Sequence, residues 1–387
     1  MTKVPGLGRT EADSVAVTFD TFALERYFAR YEFSTRYLLC SSDAQAMPVR
    51  DLLALEPGST QRLADLSLGY TESRGSPPLR QSIASLYEHR NPESILVHAG
   101  SEEAIFAFAN VVLARGDQFV VQFPCYQSHY SVAQAIGAEL LRWHSDLARE
   151  GSPDVEELER LITPATRAIV LTTPNNPTGY AFAKKEIERV VEIARKNGLW
   201  LFSDEVYRGL EREAERIPAV CDLYERGVSL GGLSKAYGLA GLRIGWIATP
   251  DPTLYGKMAA FKDYLSICNS APSEFLAQLA LANHEYLLER VRRIVARNLD
   301  CLDEFFARRT DLFEWTRPRA GTTAFVRYLR GSSEAFCARA VEEAGVLLLP
   351  STIYDAGDEH LRFGYGRSNL PEALAALEKF LDSAPSP

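Results

Sequence analysis

The stretch Gly231-Gly232-Leu233-Ser234-Lys235-Ala236-Tyr237-Gly238-Leu239-Ala240-Gly241-Leu242-Arg243-Ile244-Gly245-Trp246 decides how this chain is read. Lys235 stands between an apolar run, Val228 to Leu233, and a glycine-rich loop, and a strand-like run from Leu242 to Ala248 follows. A lysine held away from bulk water at such a turn has its pKa lowered, which makes the amine a nucleophile for carbonyl groups. Arg243 offers a planar fork suited to a phosphate dianion. The glycines allow backbone to approach a ligand closely. A carbonyl-reactive amine beside a phosphate clamp points to pyridoxal phosphate (PLP). A lone Ser-Lys pair would read as a surface lysine on a flexible loop, but the full string is far more specific.

Composition sets the outer bounds. The 387 residues suggest two to three domains and a large core. Hydrophobic content of 46% and charged content of 24% are ordinary for a soluble globular protein. The net charge of −9 and the lack of a dense Lys/Arg run argue against nucleic-acid binding. Arg290, Arg292, Arg293 and Arg297 follow Glu285 and Glu289 in an amphipathic segment, which reads as a solvated helix face. Cys40, Cys125, Cys221, Cys268, Cys301 and Cys337 are scattered without a C-x-x-C pair, so neither a metal site nor a disulfide framework is expected. With no secretory signal and no membrane-length apolar run, the expectation is a cytoplasmic protein without a membrane partner. Residues 1 to about 20 are polar and are expected to be poorly ordered.

Strands and helices alternate from about residue 94 to 250, which argues an α/β domain with a mostly parallel sheet. Ile95-Leu96-Val97 followed by Gly100-Ser101 and a helix forms an anion site from free backbone N–H groups, with Glu102 and Glu103 as first-turn acids. Ser76-Pro77 reads as a hydroxyl cap and helix start, with Ile83, Leu86 and Tyr87 on its stripe. Phe22 to Tyr37 is aromatic and packs on the core or on a partner subunit. Thr172 to Gly179 is a Pro- and Asn-rich loop, long for a strand-to-helix turn. Asp204 ends the apolar run Trp200-Leu201-Phe202. A buried carboxylate needs a cation, and a protonated pyridine nitrogen would supply one. Glu205 points the other way and reads as structural. Arg362 alternates out of the strand His360 to Tyr365, so it either faces solvent or meets a buried anion.

These strings, in order from Tyr70 to Arg362, resemble the class I/II aminotransferases within fold type I of the PLP enzymes. The likeness covers about three quarters of the chain. It implies that Lys235 carries PLP, that Gly100, Ser101, Ser234 and Arg243 hold its phosphate, and that Tyr126 stacks on its ring. It implies that Asn176 and Tyr207 reach the phenolate oxygen, that Asp204 meets the ring nitrogen, and that Arg362 binds the substrate carboxylate with Asn176 beside it. Tyr70, in Tyr70-Thr71-Glu72-Ser73-Arg74-Gly75, would reach the phosphate of a neighbouring subunit, so a homodimer with shared sites is implied. Two departures stand out: Gly232 occupies a place where the family often has a hydroxyl, and Cys40-Ser41-Ser42-Asp43 lacks the family's glycine turn.

The fold expected is therefore an α/β, fold type I PLP-dependent transferase, with a large domain around a mostly parallel sheet and a small α/β domain. Its parts are residues 1–48 (N-terminal segment and part of the small domain), 49–285 (PLP domain) and 286–387 (small C-terminal domain). Lys235, Asp204 and Tyr207 are the catalytic candidates, and transamination of an amino acid is the expected activity. The lysine segment, the Cys-Ser-Ser segment and Thr323-Ala324-Phe325 are also similar to capreomycidine-synthase-like enzymes, which implies elimination and cyclisation of a hydroxylated arginine as an alternative. A non-catalytic PLP-dependent regulator is a third reading, against which stands the lack of a basic DNA-binding module.

Overall fold

The computed structural model describes residues 18–212 and 216–383, so most of the N-terminal stretch expected to be poorly ordered lies outside the described residues. The described chain begins with helix α1 (Ala23–Tyr31) and the two-residue strand β1 (Tyr37–Leu38). Short helices α2 (Val49–Leu53), α3 (Ser59–Ala64) and α4 (Pro77–Ala84) follow. Pro77 opens α4, but the Ser76 hydroxyl does not cap it: it accepts from Gln278 Nε2 at 3.0 Å, while the Ser76 N–H donates to Glu274 Oε2 at 3.0 Å. The neighbouring helix has taken over the cap's work. α4 also ends at Ala84, before Leu86 and Tyr87, and the Tyr87 hydroxyl instead accepts from Trp246 Nε1 at 2.8 Å.

The central unit alternates as expected: β2 (Ile95–His98), α5 (Ser101–Val112), β3 (Gln118–Phe123), α6 (Ser128–Ile136), β4 (Glu139–Asp146), β5 (Ser152–Pro153), α7 (Val155–Leu161), β6 (Thr166–Thr172), α8 (Lys184–Lys196), β7 (Trp200–Asp204), α9 (Val220–Leu223), β8 (Gly227–Gly232) and β9 (Gly245–Ala248). These strands form one eight-stranded sheet in the order β2-β9-β8-β7-β6-β3-β4-β5. Neighbours from β8 through β4 run parallel, while β9 and β5 are antiparallel to the strands beside them. Helices cover both faces. α8 buries Ile187, Val190, Val191, Ile193 and Ala194 in one core with Ile169 and Leu201, and α5 buries Ala104, Ala107 and Phe108 in another. Each such large aliphatic or aromatic side chain contributes about 1.5–3 kcal/mol on burial. This double cover explains why β6 and β7 read as continuous apolar runs.

Helices α10 (Pro252–Lys262), α11 (Ala271–Ala282) and the 24-residue α12 (His284–Ala307) lead to a second sheet. That sheet is antiparallel, in the order β10 (Phe313–Glu314), β11 (Thr323–Tyr328), β14 (His360–Gly364), β13 (Leu349–Pro350), with α13 (Ser333–Ala344) and α14 (Leu370–Ser383) packed nearby. The apolar run Val346 to Pro350 is thus split between β12 (Val346–Leu347) and β13, and β12 pairs in parallel with β1. That pairing ties the N-terminal segment to the C-terminal region. Among the described residues no helix is long and apolar enough to cross a membrane, and no His/Cys/Asp/Glu group could hold a metal.

Candidate active site

In an open parallel sheet, ligands bind beyond the carboxyl ends of the strands. Here those ends deliver Gly100 and Ser101 after β2, Tyr126 after β3, Asn176 after β6, Asp204 at the end of β7, and Ser234 and Lys235 after β8. A cavity of about 270 Å³ opens there, lined by Ser101, Tyr126, Asn176, Asp204, Tyr207, Ser234, Lys235 and Arg243 among others.

The Lys235 amine points into this cavity and donates to Ser42 Oγ at 2.9 Å. Desolvation lowers its pKa below the usual lysine value, helped by the Arg362 charge and opposed by Asp43 and Asp204. Asp204 is 6% exposed. Its Oδ1 accepts the Val206 N–H at 3.1 Å, and its Oδ2 lies 3.0 Å from Nε2 of the buried His129. Tyr207 is 2% exposed, and its hydroxyl makes no hydrogen bond of normal geometry in the chain. Burial pushes that phenol well above the ordinary range.

Gly100 has φ +91°, and a Cβ there would lie 2.3 Å from Arg243 Nη2, so only glycine lets the guanidinium close over the start of α5. A Cβ on Gly245 would come within 2.5 Å of the Ser101 amide nitrogen. Gly232 explains itself the same way: its Cβ would meet Ser101 Oγ at 2.5 Å, so the Ser101 hydroxyl fills the space a side chain at 232 would need. That hydroxyl donates to the Gly231 carbonyl at 3.2 Å.

Arg362 is fully buried on β14 rather than solvent-facing. Its Nε donates to the Cys40 carbonyl at 2.9 Å and its Nη1 to Asn176 Oδ1 at 3.2 Å, with Tyr354 Oη also bound to Nη1; Nη2 has no partner. Asn176 Oδ1 also accepts from the Tyr354 hydroxyl at 3.3 Å, which leaves its amide N–H groups as donors toward the cavity. Tyr70 is 91% exposed and lies outside the cavity of its own chain. Glu205 is structural: it accepts from the Val220 N–H and the Ser229 hydroxyl.

Four residues at the site escaped the sequence reading. Ser42 and His129 each act across a long sequence separation, and Tyr354, though only 8 residues from its partner Arg362, also reaches Asn176 far away; none belongs to a local motif. The fourth, Glu102, lines the cavity bonded to Ser128 rather than serving only as a helix-end charge. The segment carrying Ser42 did signal a departure from the family's turn. Phe22 to Tyr37 turned out to hold α1, whose Leu24, Glu25 and Phe28 form part of the cavity wall. Gln127 clips this helix in place by accepting from the Ala23 N–H at 2.8 Å and donating to the Thr21 carbonyl at 3.0 Å.

A group with a phosphate, an aromatic ring carrying a basic nitrogen, and an aldehyde fits these residues. The glycine cradle under Arg243 suits the phosphate. Asp204 suits a protonated ring nitrogen, the orphan Tyr207 hydroxyl suits a phenolate, and the depressed Lys235 amine suits the aldehyde.

The chain matches the family of class I and II aminotransferases over residues 38–377. A PLP-dependent aminotransferase from Streptococcus suis superposes with a TM-score of 0.90 at 31% identity, covering 95% of this chain and 99% of that one. The PLP-dependent cyclase OrfR superposes at 0.86 with 27% identity, covering 94% and 97%. Capreomycidine synthase from Streptomyces vinaceus is 27% identical over 363 residues, 92% of this chain and 93% of that protein.

Proposed function

The chain belongs to the class I and II aminotransferase family and is a PLP-dependent enzyme acting on amino acids, and on that premise we propose that it transfers an amino group from an amino acid to a 2-oxo acid. The observation that carries this reading is the opening of the Lys235 amine and the Asp204 carboxylate onto one cavity. When bound, PLP supplies an electron sink for a substrate carbanion. Gly100, Ser101, Ser234 and Arg243 would hold its phosphate, with Tyr126 against the ring.

The other steps belong to the chain itself. Arg362 binds the substrate α-carboxylate through its free Nη2, and Asn176 fixes the guanidinium plane. Lys235 Nζ takes the proton from the substrate Cα and later returns it at another carbon, a general base and then a general acid. Its depressed pKa favours the neutral amine needed for the first step, and the Ser42 hydroxyl holds that amine in place. Asp204, oriented by His129, would hold a proton on the ring nitrogen of the bound cofactor. Phe28 and Leu24 exclude water from one wall.

The chain acts as a homodimer in the cytoplasm, with Tyr70 reaching the phosphate of a second copy. Its exposure in the single chain supports this. The large domain spans residues 49–285 and the small C-terminal domain residues 286–387, with residues 1–48 an N-terminal segment that contributes part of the small domain; the β1–β12 pairing supports that division.

A second reading is elimination and cyclisation of a hydroxylated arginine-like amino acid. The likeness to capreomycidine synthase and to a PLP-dependent cyclase along nearly the whole chain supports it. Turnover with and without added 2-oxo acid separates the two. Transamination stops without the acceptor, whereas turnover that ignores it overturns transamination in favour of cyclisation.

A further inference from the structure

Once its ligands are counted, the cavity holds an excess of carboxylate. Glu25 projects from the first turn of α1, and Glu102 from the first turn of α5; both line the cavity. Glu102 is hydrogen-bonded to Ser128, and burial raises its pKa, with a smaller contribution from Glu25. Glu25 makes no hydrogen bond or ion pair among the described residues. The cations that line the cavity are Lys235 and Arg243. On the reading above, both are committed to the cofactor, and Asp204 is committed to the ring nitrogen.

The site awaits more than the cofactor: the Tyr207 hydroxyl, 2% exposed and on the cavity wall, makes no hydrogen bond of normal geometry and is assigned to the cofactor, whereas Nη2 of the buried Arg362 has no partner and no such assignment. A substrate α-carboxylate would satisfy Arg362. No cation on the cavity wall is then left to pair with Glu25 or Glu102, the latter held by Ser128. An acidic substrate side chain would face two carboxylates with no cation to spare, and such like-charge contact rejects a ligand as firmly as good contacts select one. Phe28 lines the same cavity, with the Arg362 guanidinium 5.9 Å from its ring centroid, and offers apolar surface to a methylene stem.

We propose that the amino-acid substrate ends in a cationic group, a guanidinium or ammonium, that Glu25 recognises together with Glu102, with Phe28 beside its stem. This rests on the PLP-enzyme reading and names the substrate class for that site.

The test is calorimetric binding to PLP-loaded enzyme of two probes that lack the α-amino group and cannot react, 5-guanidinopentanoate and its uncharged counterpart 5-ureidopentanoate. Loss of a charge-assisted contact of about 1.5 kcal/mol corresponds to roughly tenfold in affinity. Wild-type enzyme is expected to prefer the guanidino acid by about that factor. Glu25→Gln should bring the ratio close to one, and Glu102→Gln should lower it. Glu25 is exposed and unpaired, so its replacement should leave the unfolding midpoint in place. Equal binding of the two probes, binding of neither, or a preference untouched in both variants overturns the proposal. A visible cofactor band in the same samples separates the two levels. With the band present, those outcomes sink only the substrate class. Its absence after added PLP sinks the underlying reading as well.

Discussion

His129 Nε2 and Asp204 Oδ2 lie 3.0 Å apart, both buried, with Asp204 on the wall of the cavity. The histidine comes from the first turn of α6 and the aspartate from the last residue of β7, so two elements far apart in sequence fix one carboxylate. Its other oxygen is taken by the Val206 N–H, and the carboxylate plane is thereby set. Removing the ring with His129→Ala should loosen that carboxylate. Hydrogen bonds to charged groups are worth about 1.5–3 kcal/mol, so PLP affinity should fall by about tenfold or more. Titration of cofactor-free protein with PLP measures it; unchanged affinity contradicts the role given to His129.

Gly232 and Ser101 compete for one space. Gly232→Ser alone should weaken PLP binding and destabilise the fold, because its Cβ meets the Ser101 hydroxyl at 2.5 Å. Overpacking of this kind costs about 1–3 kcal/mol. Pairing it with Ser101→Gly should recover much of the loss, so a double-mutant cycle should be strongly non-additive. Additive effects would mean that the two positions do not share the space.

Arg362→Lys tests the carboxylate fork. A lysine cannot serve Cys40, Asn176 and an incoming carboxylate at once. KM for amino acids should rise by about 10- to 100-fold, from the loss of about 1.5–3 kcal/mol, while the cofactor band persists. An unchanged KM would show that substrate carboxylate binds elsewhere.

Lys235 gives a pH signature. Burial lowers its folded pKa below the unfolded value of 10.5. Between the two values the unfolded chain holds more protons, so stability of the cofactor-free protein should rise with pH across that window. Below it the full penalty of the buried charge remains. Cofactor-free Lys235→Met should therefore be more stable than wild type near neutrality, with the gap closing as pH approaches 10.5. Denaturant titrations at several pH values measure this; a gap independent of pH contradicts it.

The parts legible in sequence are those set by local pattern. Lys235, Asp204 and Asn176 each follow an apolar run, and a strand-end residue in a parallel sheet faces the ligand crevice whatever the distant chain does. Arg362 was legible as a charge in an apolar strand, but its burial depended on Cys40 and Asn176, more than 180 residues away. Ser42 and His129 were not legible for the same reason: their partners Lys235 and Asp204 are brought to them only by the fold. The Ser76 cap failed because α11, over 190 residues on, supplies Glu274 and Gln278. Tyr70 is exposed in the single chain, so its place at a site depends on a second copy.

The most direct measurement is the visible absorption spectrum of purified protein, titrated with amino acids in the presence and absence of a 2-oxo acid. The account predicts a cofactor band that Lys235→Ala abolishes. An amino acid should convert it to the aminated cofactor, and a 2-oxo acid should restore it. No band even after added PLP would contradict the assignment of this cavity altogether.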